Sequence, residues 1–140
     1  MIAALPIALA ALAGAQAVPA ETTPDCRDPQ NQADMNLCAA IAFRNADAEL
    51  NAAYRDAVAH ARGADRAAAA YLNEGDDRPG EESSLREAQR AWVAFRDAHC
   101  RLQGYEARGG SMEPMLYDGC RAALARERSA QLRPAPASDE

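Results

Sequence analysis

The side chains of this sequence that could carry out chemistry are those of its cysteines and histidines. They are Cys26, Cys38, Cys100, Cys120, His60 and His99. Because His99 directly precedes Cys100, a Cys–His nucleophile is one interpretation, and a zinc site is another. Zinc sites favour close Cys-x2–4-Cys pairs, which this sequence lacks, and the two histidines lie far apart in it.

An even number of cysteines instead favours two disulfides. A cysteine in a disulfide has no thiolate with which to attack a substrate. We therefore predict that the protein is not an enzyme and that it uses neither a metal nor another cofactor. His99 is then expected to be a hydrogen-bonded core residue.

Residues 1–20 have the features of a secretory signal peptide. They contain no charged side chain, and an apolar run from Ile2 to Ala13 is followed by small residues. This run is too short for a transmembrane helix, and cleavage after Ala17 or Ala20 fits the small-x-small pattern. We expect a periplasmic or secreted mature protein with no stable membrane insertion. Disulfides persist in such oxidising compartments.

Length and charge favour one small domain with a restricted set of partners. A chain of 140 residues with 5% aromatic side chains supports a modest core that relies on Ala, Leu and Met. The formal net charge is −6, and all 15 basic residues are arginines. Nucleic acid is not an expected partner, because binding phosphates needs a basic surface. A basic extracytoplasmic protein is permitted.

The helix predicted over 84–100 is the element around which the other helices are expected to pack. On a helical wheel one face collects six side chains, those of Leu85, Ala88, Trp92, Phe95, His99 and Leu102. This periodicity predicts that Trp92 and Phe95 point into the core. Ser84 and Glu87 have the spacing of a capping box and would mark the start of the helix.

Two further helices complete the predicted fold. The first is expected to start after Asn31 and to bury Leu50. Gly63 interrupts its pattern, but the helix propensity of residues 67–72 favours its resumption after a bend. Leu37 and Ile41 fall on its other side, where we expect the arm around Cys26 to cover them; a small exposed apolar patch is the alternative. The third is expected to be capped by Ser111, with Pro114 in its first turn. The prediction is an all-α, disulfide-stapled bundle or hairpin of three helices over 21–133, with a disordered tail at 134–140.

Polar residues on the predicted helices could meet at a seam between them. Asp47 and Asn51 lie one turn apart on the first helix, and Gln89 and Arg96 flank the apolar stripe of the central one. We expect Asp47 and Asn51 to pair with Arg96 or Gln89 in a buried network that fixes helix register. A shared binding pocket is the alternative interpretation.

Several segments together resemble the lysozyme-inhibitor LprI N-terminal family. They are Gln32-Ala33-Asp34-Met35-Asn36-Leu37-Cys38-Ala39, Asp47-x-Glu49-Leu50-Asn51-x-x-Tyr54, Gln89-Arg90-Ala91-Trp92-x-x-Phe95-Arg96-Asp97-x-x-Cys100, Gly109-Gly110-Ser111 and Tyr117-x-x-Cys120. The likeness covers about residues 26–132. It implies a small secreted or periplasmic all-α domain and associates it with lysozyme inhibition. The sequence departs from the family in Asp34, where Glu is usual, in His99, where an acidic residue is common, and in a longer segment from Gly63 to Ser83.

We predict the disulfide pairs Cys26–Cys38 and Cys100–Cys120. The first would pin the N-terminal arm to the first helix. The second would clamp the turn at Gly109 between two helices.

Lysozyme binding, if it follows the resemblance, would use acidic and loop surface. The candidate residues are Glu74, Asp76, Asp77, Glu81 and Glu82 in an acidic loop, and Gly109, Gly110, Ser111 and Met112 in a glycine turn. A negative net charge would steer the encounter with a basic enzyme. Two alternatives stay open: that both are ordinary solvated loops, and that the protein is a structural or envelope-stress helper without inhibitory activity.

Overall fold

The computed structural model describes residues 23–71 and 76–133. The elements of this part of the chain are α1 (Gln32–Ala68), α2 (Glu81–Gly104), a 3₁₀ turn (Tyr105–Ala107) and α3 (Glu113–Leu132), with no strand among the described residues. The predicted all-α fold with three main helices is confirmed. The predicted signal peptide at 1–20 and tail at 134–140 lie outside the described residues, as does Glu74. Within the described ranges, no helix has the length and apolar character needed to cross a membrane.

Helix α1 begins where the sequence predicts. The side-chain oxygen of Asn31 accepts a hydrogen bond from the backbone N–H of Asp34 at 2.9 Å, and the backbone N–H of Gln30 donates to the Asp34 carboxylate at 3.2 Å. The helix then continues for 37 residues through Gly63. The expected continuation of the helix beyond Gly63 is confirmed as far as Ala68, with no break at Gly63, because one glycine costs a helix only about 1 kcal/mol.

Helix α2 begins three residues before the predicted start. Its N-cap is Gly80, which makes no side-chain capping bond. The cap comes from α1 instead: the Asp65 carboxylate accepts from the backbone N–H groups of Glu81 at 2.6 Å and Glu82 at 3.0 Å. A Cβ on Gly80 would lie 2.9 Å from Asp65 Oδ2, so a larger residue there would displace the capping carboxylate. The capping box predicted for Ser84 and Glu87 is wrong.

The helices run up, down and up, so that α2 is antiparallel to both neighbours. Arg62 in α1 contacts Glu82 at the start of α2, whereas Asp47 contacts Arg96 further along it. The centre of the core is a cluster of four residues from α1 and α3, surrounded by partly buried Phe43, Trp92 and Leu132. The four are Ala46, Leu50, Ala122 and Ala125. Alanine at these positions lets the two helix backbones approach closely, and Leu50 is buried as predicted.

The face that α2 turns to the core differs from the predicted one. Its buried residues are Gln89, Arg96, Cys100 and Gly104. Phe95 is 54% exposed, Leu102 is 64% exposed and His99 is also exposed, so the core positions predicted for them are wrong. The disulfide at Cys100 and the missing side chain at Gly104 draw the small and polar face of α2 against its neighbours. Trp92 lies at the edge of that contact and is partly buried.

Helix α3 starts later than predicted. Its N-cap is Met112, which makes no side-chain capping bond, and Pro114 lies in the first turn as predicted. Ser111 therefore does not cap the helix. On α1, Leu37 is 39% exposed and Ile41 is half-buried, so cover over the predicted outer face is incomplete.

Candidate binding site

Both disulfides lie at the same end of the bundle. Cys26 is bonded to Cys38 with a Cα–Cα distance of 5.5 Å, and Cys100 is bonded to Cys120 with a distance of 5.4 Å. This is the predicted pairing. The side-chain amide of Asn36 donates to the carbonyl of Ser111 at 2.9 Å, which joins the start of α1 to the turn before α3. We call this region the disulfide end.

The glycine turn, residues 109–112, is fixed from several directions. Gly109 has φ +76°, a conformation that favours glycine. Its backbone N–H donates to the Glu113 carboxylate at 2.7 Å, and the N–H of Gly110 donates to the carbonyl of Ala107 at 2.8 Å. Met112 is 41% exposed beside these anchored residues. The turn thus presents an apolar side chain on a backbone with a set conformation.

An open groove of about 520 Å³ lies beside the glycine turn. It is lined by Arg101, Gly104, Gly109, Gly110, Glu113, Pro114 and Tyr117. A Cβ at Gly104 would lie 3.5 Å from Glu113 and from Tyr117, so α2 and α3 are in close contact at the base of the groove. The lining combines an arginine, a carboxylate and an aromatic ring and could contact a polypeptide surface.

Two acidic residues at the opposite end of the bundle, Glu82 and Asp76, are paired with arginines. Glu82 contacts Arg62 at 2.7 Å and Arg86 at 2.8 Å, and Asp76 contacts Arg78 at 2.6 Å. Hydrogen bonds from these guanidinium groups lower the pKa of Glu82 and that of Asp76 to about 2 each. We call this region the ion-pair end.

The rest of the predicted acidic loop is divided between two elements. Asp77 is exposed in the connection before α2, while Glu81 and Glu82 belong to the first turn of α2 itself. Ion pairing and helix formation leave this segment less like a free acidic loop than the sequence suggests.

Part of the predicted polar network forms at the seam between α1 and α2. Arg96 Nη1 lies 2.9 Å from the Asp47 carboxylate, and Asn51 donates to the same carboxylate at 3.0 Å. The Arg96 guanidinium also lies 5.3 Å from the ring centroids of both Phe43 and Trp92. These contacts satisfy the buried arginine without a ligand.

Gln89 has a different partner from the one predicted. Its side-chain oxygen accepts from Arg128 Nε of α3 at 3.0 Å. A second arginine of α3, Arg121, lies 3.5 Å from the Phe43 ring centroid and 4.6 Å from that of Tyr117. Sequence reasoning missed both arginines. On a helix rich in alanine, the sequence around an arginine does not show whether its side chain is exposed to solvent or packed against a neighbouring helix. The proximity of Arg121 to Cys120 was the available signal.

Comparison with known proteins identifies the family of this chain. The family model for Lysozyme inhibitor LprI matches residues 25–132. The chain belongs to the LprI family. It is 48% identical over 114 residues to an "Uncharacterized protein" of Rhizobium meliloti (strain 1021), covering 79% of this chain and 77% of that protein. No solved structure matches the chain.

The LprI match coincides with the helical domain. It begins one residue before Cys26 and ends at Leu132, the last residue of α3. Both disulfides, the polar seam and the glycine turn therefore lie inside the LprI region. Of the departures noted in the sequence, Asp34 serves in the cap of α1, and His99 stacks on Phe95 at the surface with ring centroids 5.3 Å apart. Neither side chain belongs to the buried core of the three helices.

Metal-ligand side chains do not cluster in the described part of this LprI domain. Residues 23–71 and 76–133 contain no group of three or more His, Cys, Asp or Glu side chains that could hold a metal ion. All four cysteines are in disulfides.

Proposed function

We propose that this LprI-family protein binds and inhibits a lysozyme, and that the glycine turn at the disulfide end makes the central contact. The observation that carries the proposal is the fixed conformation of this turn, with Met112 41% exposed on it. A segment held in its binding conformation loses little conformational entropy when it docks, so more of the contact energy appears as affinity.

The fixation of the turn is both covalent and hydrogen-bonded. The Cys100–Cys120 disulfide closes the segment that contains it, over a sequence separation of 20 residues. Asn36 supports Ser111 from α1, and Glu113 supports Gly109 from α3. The adjacent groove of about 520 Å³ could receive a side chain of the bound enzyme. We propose that inhibition is by occlusion, with no bond made or broken by the inhibitor.

Charge supports a smaller role for the acidic loop than the sequence implies. Glu21, Glu74, Asp139 and Glu140 are outside the described residues, so 17 of the 21 acidic side chains face 15 arginines there. Two of those 17, Glu82 and Asp76, are paired at the ion-pair end. Net charge would steer the encounter with a basic enzyme, and steering acts on the association rate more than on affinity. The turn would supply the affinity.

The signal-like segment and the two disulfides support a periplasmic or secreted location, where a lysozyme would be met. A different basic extracytoplasmic protein is the second candidate partner. Nucleic acid and membrane are not proposed partners.

The test is a muramidase assay with the purified mature protein against several lysozyme types. Met112→Ser should weaken inhibition at least tenfold, because it removes the exposed apolar side chain. Gly109→Val should weaken it further, because valine strains at φ +76°. Asp77→Asn, at the other end, is the matched control and should change only the salt dependence.

Circular dichroism of each variant would show that the helices remain. Absence of inhibition by the parent protein in low salt would overturn the proposal and favour the envelope-helper function. Inhibition lost in Asp77→Asn but kept in Met112→Ser would move the contact to the acidic loop.

A further inference from the structure

The outward face of α2 carries a regular row of exposed apolar residues that no other part of the described chain covers. Its members are Ala88, Ala91, Phe95, Ala98, Leu102 and, in the 3₁₀ turn that follows, Tyr105. Phe95 is 54% exposed, Leu102 64% and Tyr105 40%. We call this row the exposed seam. It lies on the other side of α2 from buried Arg96 and Cys100.

The spacing along the exposed seam alternates between three and four residues, which is the spacing of the a and d positions of a coiled coil. A surface helix that packs only against its own domain has no need of this second apolar stripe. On the helical wheel, Phe95 and Leu102 fall on the face that the sequence predicts to be the core. The structure leaves the stripe exposed and therefore without its expected cover.

We propose that the exposed seam of a second copy of this chain covers it, with the two α2 helices antiparallel about a two-fold axis. In that orientation a positions meet d positions, so every large side chain meets an alanine. Phe95 faces Ala98 of the second copy, Leu102 faces its Ala91, and Tyr105 faces its Ala88. The two-fold axis repeats each contact.

A parallel arrangement fits less well. It would place Phe95 against Phe95 and Leu102 against Leu102, and would leave alanine against alanine in the layers between them. Two straight helices cannot stay at a constant distance when some layers between them hold two large side chains and others hold two alanines. The antiparallel register gives each layer one large and one small side chain, which suits close packing at constant distance.

Charge at the ends of the exposed seam is complementary in the same antiparallel register. Glu87 flanks the seam at one end and Arg108 at the other, and antiparallel pairing brings Glu87 of each copy to Arg108 of its mate. The Arg108 guanidinium already stacks on Tyr105, 4.5 Å from its ring centroid, and so lies beside the last seam residue. Two such pairs would set the register without entering the apolar centre.

The size of the seam indicates a weak dimer. Eighteen residues of helix span about 27 Å, and interfaces below about 1,200 Å² of total buried area are commonly transient. We expect dissociation in the micromolar range. The seam does not include the glycine turn, so dimerisation and lysozyme binding are separate properties and can fail independently.

Sedimentation equilibrium of the mature, disulfide-bonded protein, from low micromolar to several hundred micromolar, tests the proposal. The parent should pass from monomer to dimer over this range. Ala98→Arg should remain monomeric, because arginine cannot fit where Phe95 of the second copy packs. Ala48→Arg, at an exposed alanine of α1, is the matched control and should dimerise like the parent.

The orientation has its own test. Glu87→Arg and Arg108→Glu should each weaken dimerisation at least tenfold, and the double variant should restore it. Failure of the double variant to restore it would overturn the antiparallel register. A parent that stays monomeric at every concentration would overturn the dimer itself. If the parent is monomeric and Ala98→Arg no longer inhibits muramidase activity, the exposed seam is the surface that binds lysozyme. This result would also overturn the dimer.

Discussion

The two ends of the bundle are held together by different physical means. At the disulfide end one disulfide joins the N-terminal arm to α1 and the other joins α2 to α3, while the Asn36–Ser111 hydrogen bond joins α1 to the turn before α3. At the ion-pair end the Asp65 carboxylate caps α2, and Glu82 bridges Arg62 and Arg86. The first set resists salt and pH, while the second depends on both.

This difference bears on where recognition is expected. A binding element benefits from a fixed conformation, and the disulfide end supplies one around the glycine turn. Glu82 and Asp76 at the ion-pair end are already paired with arginines of the same chain. A basic protein that bound there would have to compete with these arginines. The number of acidic residues at the ion-pair end therefore overestimates how strongly it attracts such a protein.

The largest expected effect is the loss of a disulfide. Replacing Cys100 and Cys120 together by serine should lower the free energy of unfolding by about 3 kcal/mol, since the bond closes a ring of 20 residues. The Cys26 and Cys38 pair, which closes 12 residues, should cost slightly less. Chemical denaturation with and without reductant would measure both.

The disulfide prediction has an internal check. Muramidase inhibition by the Cys100→Ser/Cys120→Ser variant should fall more than its helical content, because the glycine turn loses its clamp. If this variant were as stable as its parent, the disulfide end would not owe its stability to the Cys100–Cys120 bond, and the contrast with the ion-pair end would fail.

The next largest effect is the loss of stability on truncating Trp92, in the middle of the bundle. It gives a value with which the losses at the two ends can be compared. Complete burial of a tryptophan would predict a loss of about 3–5 kcal/mol on truncation to alanine. Trp92 is only partly buried, so we expect Trp92→Ala to cost about 2 kcal/mol by urea denaturation. Phe95→Ala, at a residue 54% exposed, should stay within about 0.5 kcal/mol at concentrations where the protein is monomeric. Equal losses in the two variants would contradict the observed packing of α2.

Contacts between near neighbours in the sequence could be predicted, while those between distant residues mostly could not. The cap at Asn31 and Asp34 is local, and its residue types and spacing identify it. Asp65 caps a helix that starts 16 residues later, and nothing in its own surroundings distinguishes it from a solvated aspartate. The start of α2 was therefore assigned to Ser84, the nearest local signal.

The orientation of α2 was the main failure, and its cause is physical. A helical wheel ranks faces by hydrophobicity, and the face with Phe95 and Leu102 ranks highest. Arg96 and Gln89 are buried instead, because their polar ends reach Asp47 of α1 and Arg128 of α3. Their aliphatic stems can then pack between the helices. Hydrophobicity alone cannot separate a core face from an interaction face on a helix that has both.

A smaller effect is expected at the Asp65 cap. Asp65→Ala removes the acceptor for two backbone N–H groups of α2 and should cost about 1 kcal/mol. Asp56→Ala, at an exposed position of the same helix, is the control and should be nearly neutral. Hydrogen exchange should show faster opening of the first turn of α2 in Asp65→Ala alone.

Gly80→Ala tests the same contact from the other side. A Cβ would lie 2.9 Å from the Asp65 carboxylate, so this variant should also be destabilised. In the Asp65→Ala background the clash is gone, and Gly80→Ala should then cost less. Additive losses in the double variant would mean that the close approach of Gly80 and Asp65 does not contribute to stability.

The smallest effect is the pH dependence of the Glu82 cluster at the ion-pair end. Hydrogen bonds from Arg62 and then Arg86 lower the pKa of Glu82 from 4.5 to about 2. The folded state therefore binds the Glu82 proton less tightly than the unfolded state does. The stabilising contribution is complete above pH 4.5 and is lost as the pH falls from there toward 2.

We expect Glu82→Gln to be less stable than the parent at neutral pH, and the difference in melting temperature to vanish near pH 2. High salt should also reduce it, because the cluster is exposed to solvent. Glu127→Gln, at an exposed position on α3, is the matched control and should show no such convergence. A difference between Glu82→Gln and the parent that persisted at pH 2 and in high salt would mean that Glu82 stabilises the ion-pair end by packing, and the contrast with the disulfide end would lose its electrostatic basis.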